Sequence, residues 1–125
     1  MQTVGKLDKT IYKCITKDMV TDEVIITSER ISHVKERHPN DYERFFTYLP
    51  IIIEKPDYIV EANKPNTAVI LKEITDNGEK FKVILRISVK KDPVGYKNSI
   101  ITFMHIGDTT WKKTLKNKNI LYTKE

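Results

Sequence analysis

Cysteine is almost absent from this chain of 125 residues, which contains Cys14 alone. A single cysteine cannot form an internal disulfide, and it cannot build a zinc site that needs several thiolates. The three histidines show no metal-ligand spacing either, so we expect no metal and no other cofactor. Cys14 lies among alternating apolar residues, which is more typical of a core thiol than of a nucleophile.

Long apolar runs are also missing. No stretch approaches the roughly 18 apolar residues of a membrane span, and the N-terminal MQTVGKLDKT lacks the apolar segment of a signal peptide. With 39% hydrophobic and 31% charged residues, the composition is typical of a globular domain with one core. These features predict a single domain over residues 1–125, in the cytoplasm and with no membrane partner.

Positive charge is unevenly distributed along the chain. Residues 1–79 carry a net charge of −3 and residues 80–125 a net charge of +8. A basic C-terminal half favours an acidic partner, with nucleic acid first among the candidates. The alternative is a lysine-rich surface that is simply solvated, and charge alone does not decide between the two.

Hydrophobic periodicity predicts helices in the first half of the chain and strands joined by hairpins in the second. This order predicts an α+β fold. In it, an N-terminal hairpin and the helices pack on one face of a roughly four-stranded antiparallel sheet, and the other face stays open. The predicted helices cover 28–38, 41–54 with a break at Pro50, and 108–116; the predicted strands cover 9–16, 23–27, 58–62, 67–74, 80–89, 99–106 and 119–123.

The helix predicted over 28–38 carries two histidines. Ile31 and Val34 lie three positions apart and share the face that packs on the core. At about 100° per residue, His38 returns to within roughly 20° of Ile31, so we expect it at the end of the buried face, where it can reach a cleft. His33 is expected on the opposite side, facing water.

Strand parity predicts which residues lie on the open face, because side chains alternate between the two faces of a strand. Apolar residues alternate along strand 80–89 and direct Arg86 away from the core. The same reasoning assigns Lys72 and Thr102 to that open face, and gives His105 the parity of the core. The residues predicted to face the core include Val69, Leu71, Ile101 and Phe103.

Two cations, a hydroxyl and a nearby histidine suit the cleavage of RNA through its own 2′-OH, which needs no metal. The reaction needs a base for the 2′ proton, an acid for the 5′ leaving oxygen and positive charge on the phosphorane. Arg86 can hold two phosphate oxygens at once, and His38 can act as acid or base near neutral pH. We expect Lys72 to add charge and Thr102 or Ser99 to position the phosphate.

The basic loop 90–97, KKDPVGYK, adds a candidate track for nucleic acid. Lys90, Lys91 and Lys97 can contact phosphates, and Tyr96 can stack on a base.

Each candidate also has a purely structural interpretation. Arg86 is explained equally well as an exposed strand residue, and Lys72 is explained better as a solvated charge than as a catalytic group. Thr102 is a common strand residue. His38 can interact with the free carbonyls at the end of its helix. Trp111 is more typical of a packing anchor than of a stacking platform.

Several strings occur in a fixed order between Thr10 and Lys124: ITSERISHVKERHP, EKPDYIVEANKPNTAVILKEI, FKVILRISVKKDPVGYKNSIITF and a closing W-x-x-x-L…ILY. Together they resemble the phage-associated branch of the BECR nucleases, a superfamily named for barnase, EndoU, colicin nucleases and RelE. The resemblance covers nearly the whole chain.

The resemblance implies N-terminal helices on a four-stranded antiparallel sheet, with RNA cleaved on the exposed face without a metal. The H-x-x-x-x-H-P string marks His33 and His38. The L-R element marks Arg86, and the K-N-S-I-I-T string marks Ser99 and Thr102. No glutamate is expected on the open face, so Lys72 or His38 would have to act as the base.

The leading hypothesis is thus a metal-independent endoribonuclease with His38, Arg86, Lys72, Thr102 and Ser99 in the catalytic set. A rival is a non-catalytic module that binds nucleic acid or docks on a phage assembly protein. A toxin domain shares the nuclease chemistry but implies an immunity or antitoxin partner. In the nuclease hypothesis the partner is RNA, tRNA or another structured RNA, in the cytoplasm of a bacterial host that carries the phage or prophage.

Overall fold

The computed structural model describes residues 2–124, apart from the side chain of Phe45. It confirms the α+β class, with a sheet of seven strands in the order β1-β2-β6-β5-β4-β3-β7. The strands are β1 Gln2–Lys6, β2 Glu23–Ile26, β3 Tyr58–Val60, β4 Thr67–Glu73, β5 Lys80–Arg86, β6 Asn98–Ile106 and β7 Ile120–Thr123. The helices are α1 Lys9–Tyr12, α2 Ser28–Arg37, α3 Asp41–Phe45, α4 Leu49–Glu54 and α5 Asp108–Asn117, with a 3₁₀ turn at Phe46–Tyr48.

The sheet is wider than the roughly four strands expected. Strands β3 to β6 form an antiparallel meander, but β7 adds to the β3 edge and β2 pairs in parallel with β6. The N-terminal hairpin therefore extends the sheet and does not pack on its face. Among the described residues, no helix is long and apolar enough to span a membrane.

The hairpin partner of β2 was predicted wrongly. Residues 2–6, not 9–16, pair with β2. Asp8 Oδ1 accepts a hydrogen bond from Thr10 N at 2.9 Å, and this cap favours a helical turn over extension. The turn buries Tyr12, whose hydroxyl donates to Ile53 O at 2.7 Å.

Helix α2 confirms the predicted helix. Thr27 Oγ1 accepts from Arg30 N at 3.2 Å and caps its N-terminus, and Val34 on its apolar face is fully buried. Helices α2, α3 and α4 pack on one face of the sheet, which we call the core face. Phe81, Val83 and Leu85 of β5 lie on this face as predicted.

Strand β4 has the opposite parity to the one predicted. Ile70 pairs with Val83 and Lys72 pairs with Phe81, so the core face takes Ala68, Ile70 and Lys72 instead of Val69 and Leu71. Thr67–Leu71 is buried along its whole length. A strand that is buried on both faces is apolar at nearly every position. Its sequence therefore shows no alternation that tells which residues face the core.

Strand β6 contains a bulge that shifts parity by one residue. Thr102 pairs with Ile84 and Ile100 pairs with Leu85, which leaves Ile101 as the extra residue. Ile100 is buried in the core and Ile101 is not, the reverse of the prediction. Thr102 keeps its expected position opposite the core face.

The face opposite the core face, here called the second face, is partly covered. Trp111 of α5 meets the Tyr58 ring edge-on with centroids 5.9 Å apart, and Lys80 Nζ lies 5.9 Å from the Trp111 ring centroid. Trp111 thus anchors α5 on the β3 side of this face, where the prediction had left the face open. The β6 side, next to β2 and loop 90–97, carries the candidate site.

Candidate functional site

Arg86 and Ser99 are directly opposite one another on β5 and β6. Both lie on the second face, at the end of the sheet where β5 leaves it. The Arg86 side chain is 24% exposed, so it is shielded from bulk water without being sealed from a ligand.

Contacts on three sides fix the Arg86 guanidinium. Nη2 donates to Asp92 Oδ1 at 2.9 Å, Nη1 donates to the Ile87 carbonyl, and the guanidinium carbon lies 5.6 Å from the Tyr96 ring centroid. A guanidinium has five N–H groups, so donors remain for an anion after these two bonds. The arrangement holds a cation in one orientation on the sheet surface.

Asp92 supports Arg86 as a carboxylate. The pKa of Asp92 is lowered mainly by the hydrogen bond from Val89 N, which together with the bond and charge of Arg86 outweighs the partial desolvation of the carboxylate. Asp92 Oδ2 accepts from Val89 N at 2.8 Å, so the same carboxylate closes the loop and orients the guanidinium.

Loop 90–97 is anchored to the rest of the protein. Ser88 Oγ donates to Tyr96 O at 2.7 Å, and Lys97 Nζ pairs with Glu23 Oε1 at 2.7 Å. Lys90 Nζ lies 3.6 Å from Asp18 Oδ1. Of the predicted track, Lys90 and Lys97 therefore face carboxylates, whereas Lys91 and Tyr96 are exposed.

A groove of about 430 Å³ adjoins Arg86, and we call it the Ser99 groove. Ser99 and Tyr96 belong to it, and both contact or face Arg86. The start of helix α2 and loop 90–97 both contribute lining residues. Its lining residues are Ile25, Thr27, Glu29, Arg30, Gly95, Tyr96, Lys97 and Ser99.

The first turn of α2 contributes two charged groups that sequence reasoning missed. Glu29 and Arg30 line the Ser99 groove. His33 lies four positions after Glu29 and three positions after Arg30, so it is on the same flank of the helix. His33 is half-buried, not fully exposed as predicted. The i, i+4 spacing of Glu29 and His33 is visible in the sequence, but the sequence does not show which flank of α2 faces the groove.

His38 lies towards the other end of β6. Its carbonyl accepts from Asp41 N at 3.1 Å, and Asp41 Oδ2 accepts from His105 N at 3.1 Å. His105 is six positions beyond Ser99 on β6, about 20 Å along the strand. The structure therefore does not bring His38 to Arg86.

Lys72 is on the core face, so its expected place beside Arg86 is wrong. Its Nζ bonds Asp57 Oδ1 at 3.1 Å, with the Asp57 side chain 4% exposed. Thr102 shares the second face with Arg86 but stands opposite Ile84, further along β6. His105 keeps the core parity predicted for it and contacts the Phe81 ring.

Within residues 2–124, no group of three or more His, Cys, Asp or Glu side chains is arranged to hold a metal ion. The polar groups that contact Arg86 or line the Ser99 groove are instead cationic, hydroxyl and carboxylate side chains. Such a set can bind a phosphate and exchange protons with it.

Comparison with known proteins identifies the family. No curated protein and no solved structure matches the chain. A family model does match it, over residues 1–123, and that model describes phage-Barnase-EndoU-ColicinE5/D-RelE like nucleases of type 2. The resemblance seen in the sequence is confirmed, and the chain belongs to this phage-associated nuclease family.

Proposed function

We propose that this nuclease is an endoribonuclease that cleaves RNA through the ribose 2′-OH without using a metal ion. The observation that carries the proposal is the Arg86 guanidinium, held by Asp92 and Tyr96 beside Ser99. A preorganised cation of this kind stabilises the charge that develops on a phosphorane.

Arg86, which is paired with Ser99 beside the groove, and Arg30, which lines the groove, are the proposed phosphate-binding pair. Arg86 donates to the nonbridging oxygens of the scissile phosphate. Arg30, on the α2 wall of the groove, adds the second positive charge that a metal ion supplies in other nucleases. The Ser99 hydroxyl, opposite Arg86, positions the same phosphate.

Glu29 and His33 are the proposed proton-transfer groups. The Glu29 carboxylate takes the 2′-OH proton as O2′ bonds to phosphorus, and the P–O5′ bond breaks as a protonated His33 gives its proton to O5′. The products are a 2′,3′-cyclic phosphate and a 5′-hydroxyl, so charge and protons balance without water. Lys91 and Tyr96 are proposed to contact the flanking strand.

The proposal is tested with an RNA oligonucleotide in EDTA, compared with the same oligonucleotide bearing a single 2′-deoxyribose at the cleavage position. We expect cleavage of the first with a 2′,3′-cyclic end, and no cleavage of the second at that position. Cleavage of both substrates would reject the 2′-OH mechanism, and cleavage that needs added magnesium would reject its independence of a metal ion.

A non-catalytic nucleic-acid module is the second candidate, and one observation favours it. Arg86 bonds Asp92 and the Ile87 carbonyl, so its contacts are also those of a clamp that closes loop 90–97. In that case RNA binds with strong salt dependence and is recovered intact. Recovery of full-length RNA from a complex held for hours would support this candidate over the nuclease.

Partners other than RNA stay predictions from the sequence. An immunity or antitoxin protein, or a phage structural protein, is proposed on the family and on the basic C-terminal half alone. The cytoplasm of the host is proposed as the place of action, because that is where the RNA substrate lies.

A further inference from the structure

A second concavity lies on the second face, between α5 and the sheet. It encloses about 350 Å³, at the small end of the range for ligand sites in proteins. We call it the lysine cleft. It is lined by Val60, Glu61, Ala62, Asn63, Lys64, Thr67, Val69, Lys82, Ile84, Ile101, Thr114 and Lys118.

The floor of the lysine cleft is apolar. Val69 and Ile84 are cross-strand partners on the second face, and Val60 extends the floor on β3. Ile101, the extra residue of the β6 bulge, also lines the cleft. A flat, apolar floor of this kind suits the face of a nucleobase.

Three of the polar side chains that line the cleft are cationic. Lys64, Lys82 and Lys118 come from the β3–β4 connection, β5 and the residue after α5. Across residues 2–124 none of these three ammonium groups pairs with a carboxylate, whereas Lys72, Lys80 and Lys97 each do. Glu61 is the one carboxylate at the cleft, and it accepts from Asn119 N at 3.3 Å. The cleft therefore carries net positive charge above an apolar floor.

The lysine cleft is in line with Arg86. Lys82, Ile84 and Arg86 alternate on the second face of β5. Lys82 and Arg86 are thus about 13 Å apart along the strand, a span that neighbouring nucleotides of one extended strand can bridge. Thr102, opposite Ile84, stands between the two.

We infer that the lysine cleft is a binding subsite for one nucleotide of a single-stranded RNA, next to the nucleotide cleaved at Arg86. The base lies on Ile84 and Ile101, and its phosphate meets Lys82 and Lys118. The choice of RNA as the occupant rests on the proposed function. The subsite is defined by nucleotide binding, so it is tested by a binding measurement that does not depend on RNA cleavage.

The test is titration of the ¹⁵N-labelled protein with each nucleoside 5′-monophosphate, and separately with inorganic phosphate, followed by amide chemical shifts in EDTA. We expect nucleotides to shift Ile84, Ile101 and Thr114 and phosphate alone to bind more weakly. Lys82→Gln and Lys118→Gln should each weaken nucleotide binding about tenfold, the effect of losing one charge-assisted contact. Lys113→Gln is the matched control, because Lys113 is exposed on α5 and does not line the cleft.

Three results would overturn the subsite. These are equal affinity for phosphate and for nucleotides, unchanged nucleotide affinity in both cleft variants while each remains folded, or no shift of the cleft amides. The outcome is independent of the nuclease assay. Nucleotide binding in the cleft with no RNA cleavage would retain the subsite and reject the proposed function. RNA cleavage with no nucleotide binding in the cleft would retain the proposed function and reject the subsite.

Discussion

Asp92 Oδ1 accepts a hydrogen bond from Arg86 Nη2 at 2.9 Å, while its other oxygen accepts from Val89 N at 2.8 Å. One carboxylate therefore fixes both the turn after β5 and the direction of the guanidinium. Because a guanidinium is planar, two fixed donors also determine where its remaining N–H groups point. We propose Asp92 as a positioning residue and Arg86 as the group that binds the phosphate.

Replacement of Asp92 by alanine should lower the turnover rate more than it lowers RNA affinity. The positive charge of Arg86 remains, but its orientation is lost, and misplacement of a catalytic group costs about 10- to 100-fold. Single-turnover cleavage at saturating RNA measures this. Asp76→Ala, in the exposed β4–β5 turn, is the control and should cleave at the wild-type rate. A drop in affinity alone would assign Asp92 to binding instead.

Substitutions in the first half of α2 and at its C-terminal end should have different effects on the cleavage rate. Glu29→Gln and His33→Ala should each slow cleavage about 10²- to 10⁴-fold, the range for loss of a general acid or base. His38→Ala should change the rate by no more than about twofold, because His38 lies near the His105 end of β6. Rates of the three variants at several pH values measure this. A large loss in His38→Ala with an active His33→Ala would return the role to His38, as the sequence alone suggested.

The Asp57 cluster predicts acid-sensitive stability. Asp57 accepts from Lys72 Nζ at 3.1 Å and from Glu73 N at 2.9 Å, and pairs with Lys124 at 3.1 Å. Burial alone would raise the pKa of Asp57, but the bonds from Glu73, Lys72 and Lys124 outweigh it and lower the pKa. A lowered pKa in the folded state means that ionised Asp57 stabilises the fold above the ordinary aspartate pKa of about 3.9. This stabilisation is lost as the pH falls below that value.

Thermal unfolding of wild type and Asp57→Ala, measured from pH 7 down to about pH 3, tests the Asp57 cluster. The variant should lose about 2–4 kcal/mol at neutral pH, because it leaves Lys72 partly buried without its partner. The difference between the two proteins should shrink as the pH falls. Lys124→Ala removes a largely exposed charge and should cost less than about 1 kcal/mol. A difference that is independent of pH would show that ionisation of Asp57 does not stabilise the fold.

The sequence predicts best where alternation is regular. In β5 every second residue is buried, so the positions of Phe81 and Arg86 on opposite faces could be read directly. In β4, Thr67–Leu71 is buried on both sides, and the position of Lys72 was predicted on the wrong face. The β6 bulge has no signal in the string SIITF, so Ile100 and Ile101 were exchanged.

The candidate site was predicted only in part, because it depends on tertiary placement. Arg86 and Ser99 were named from the sequence, but their direct pairing across β5 and β6 follows from the register. Glu29 and Arg30 were missed, since a helix period identifies the buried flank of α2 and not the flank that borders a groove. The Arg86–Asp92 bond requires the path of the loop after β5, which local propensity does not specify.

The rate at which Arg86 variants cleave a 2′-hydroxyl RNA in EDTA tests the central claim most directly. We expect Arg86→Ala to lose about 10²- to 10³-fold in rate while keeping a wild-type fold. Arg86→Lys should recover only part of this loss, because it keeps the charge but not the planar fork. Lys113→Ala removes an exposed cation of α5 that lies in neither the Ser99 groove nor the lysine cleft, and it should cleave at the wild-type rate. Cleavage by folded Arg86→Ala at the wild-type rate would contradict the account, because it would show that Arg86 does not stabilise the scissile phosphate.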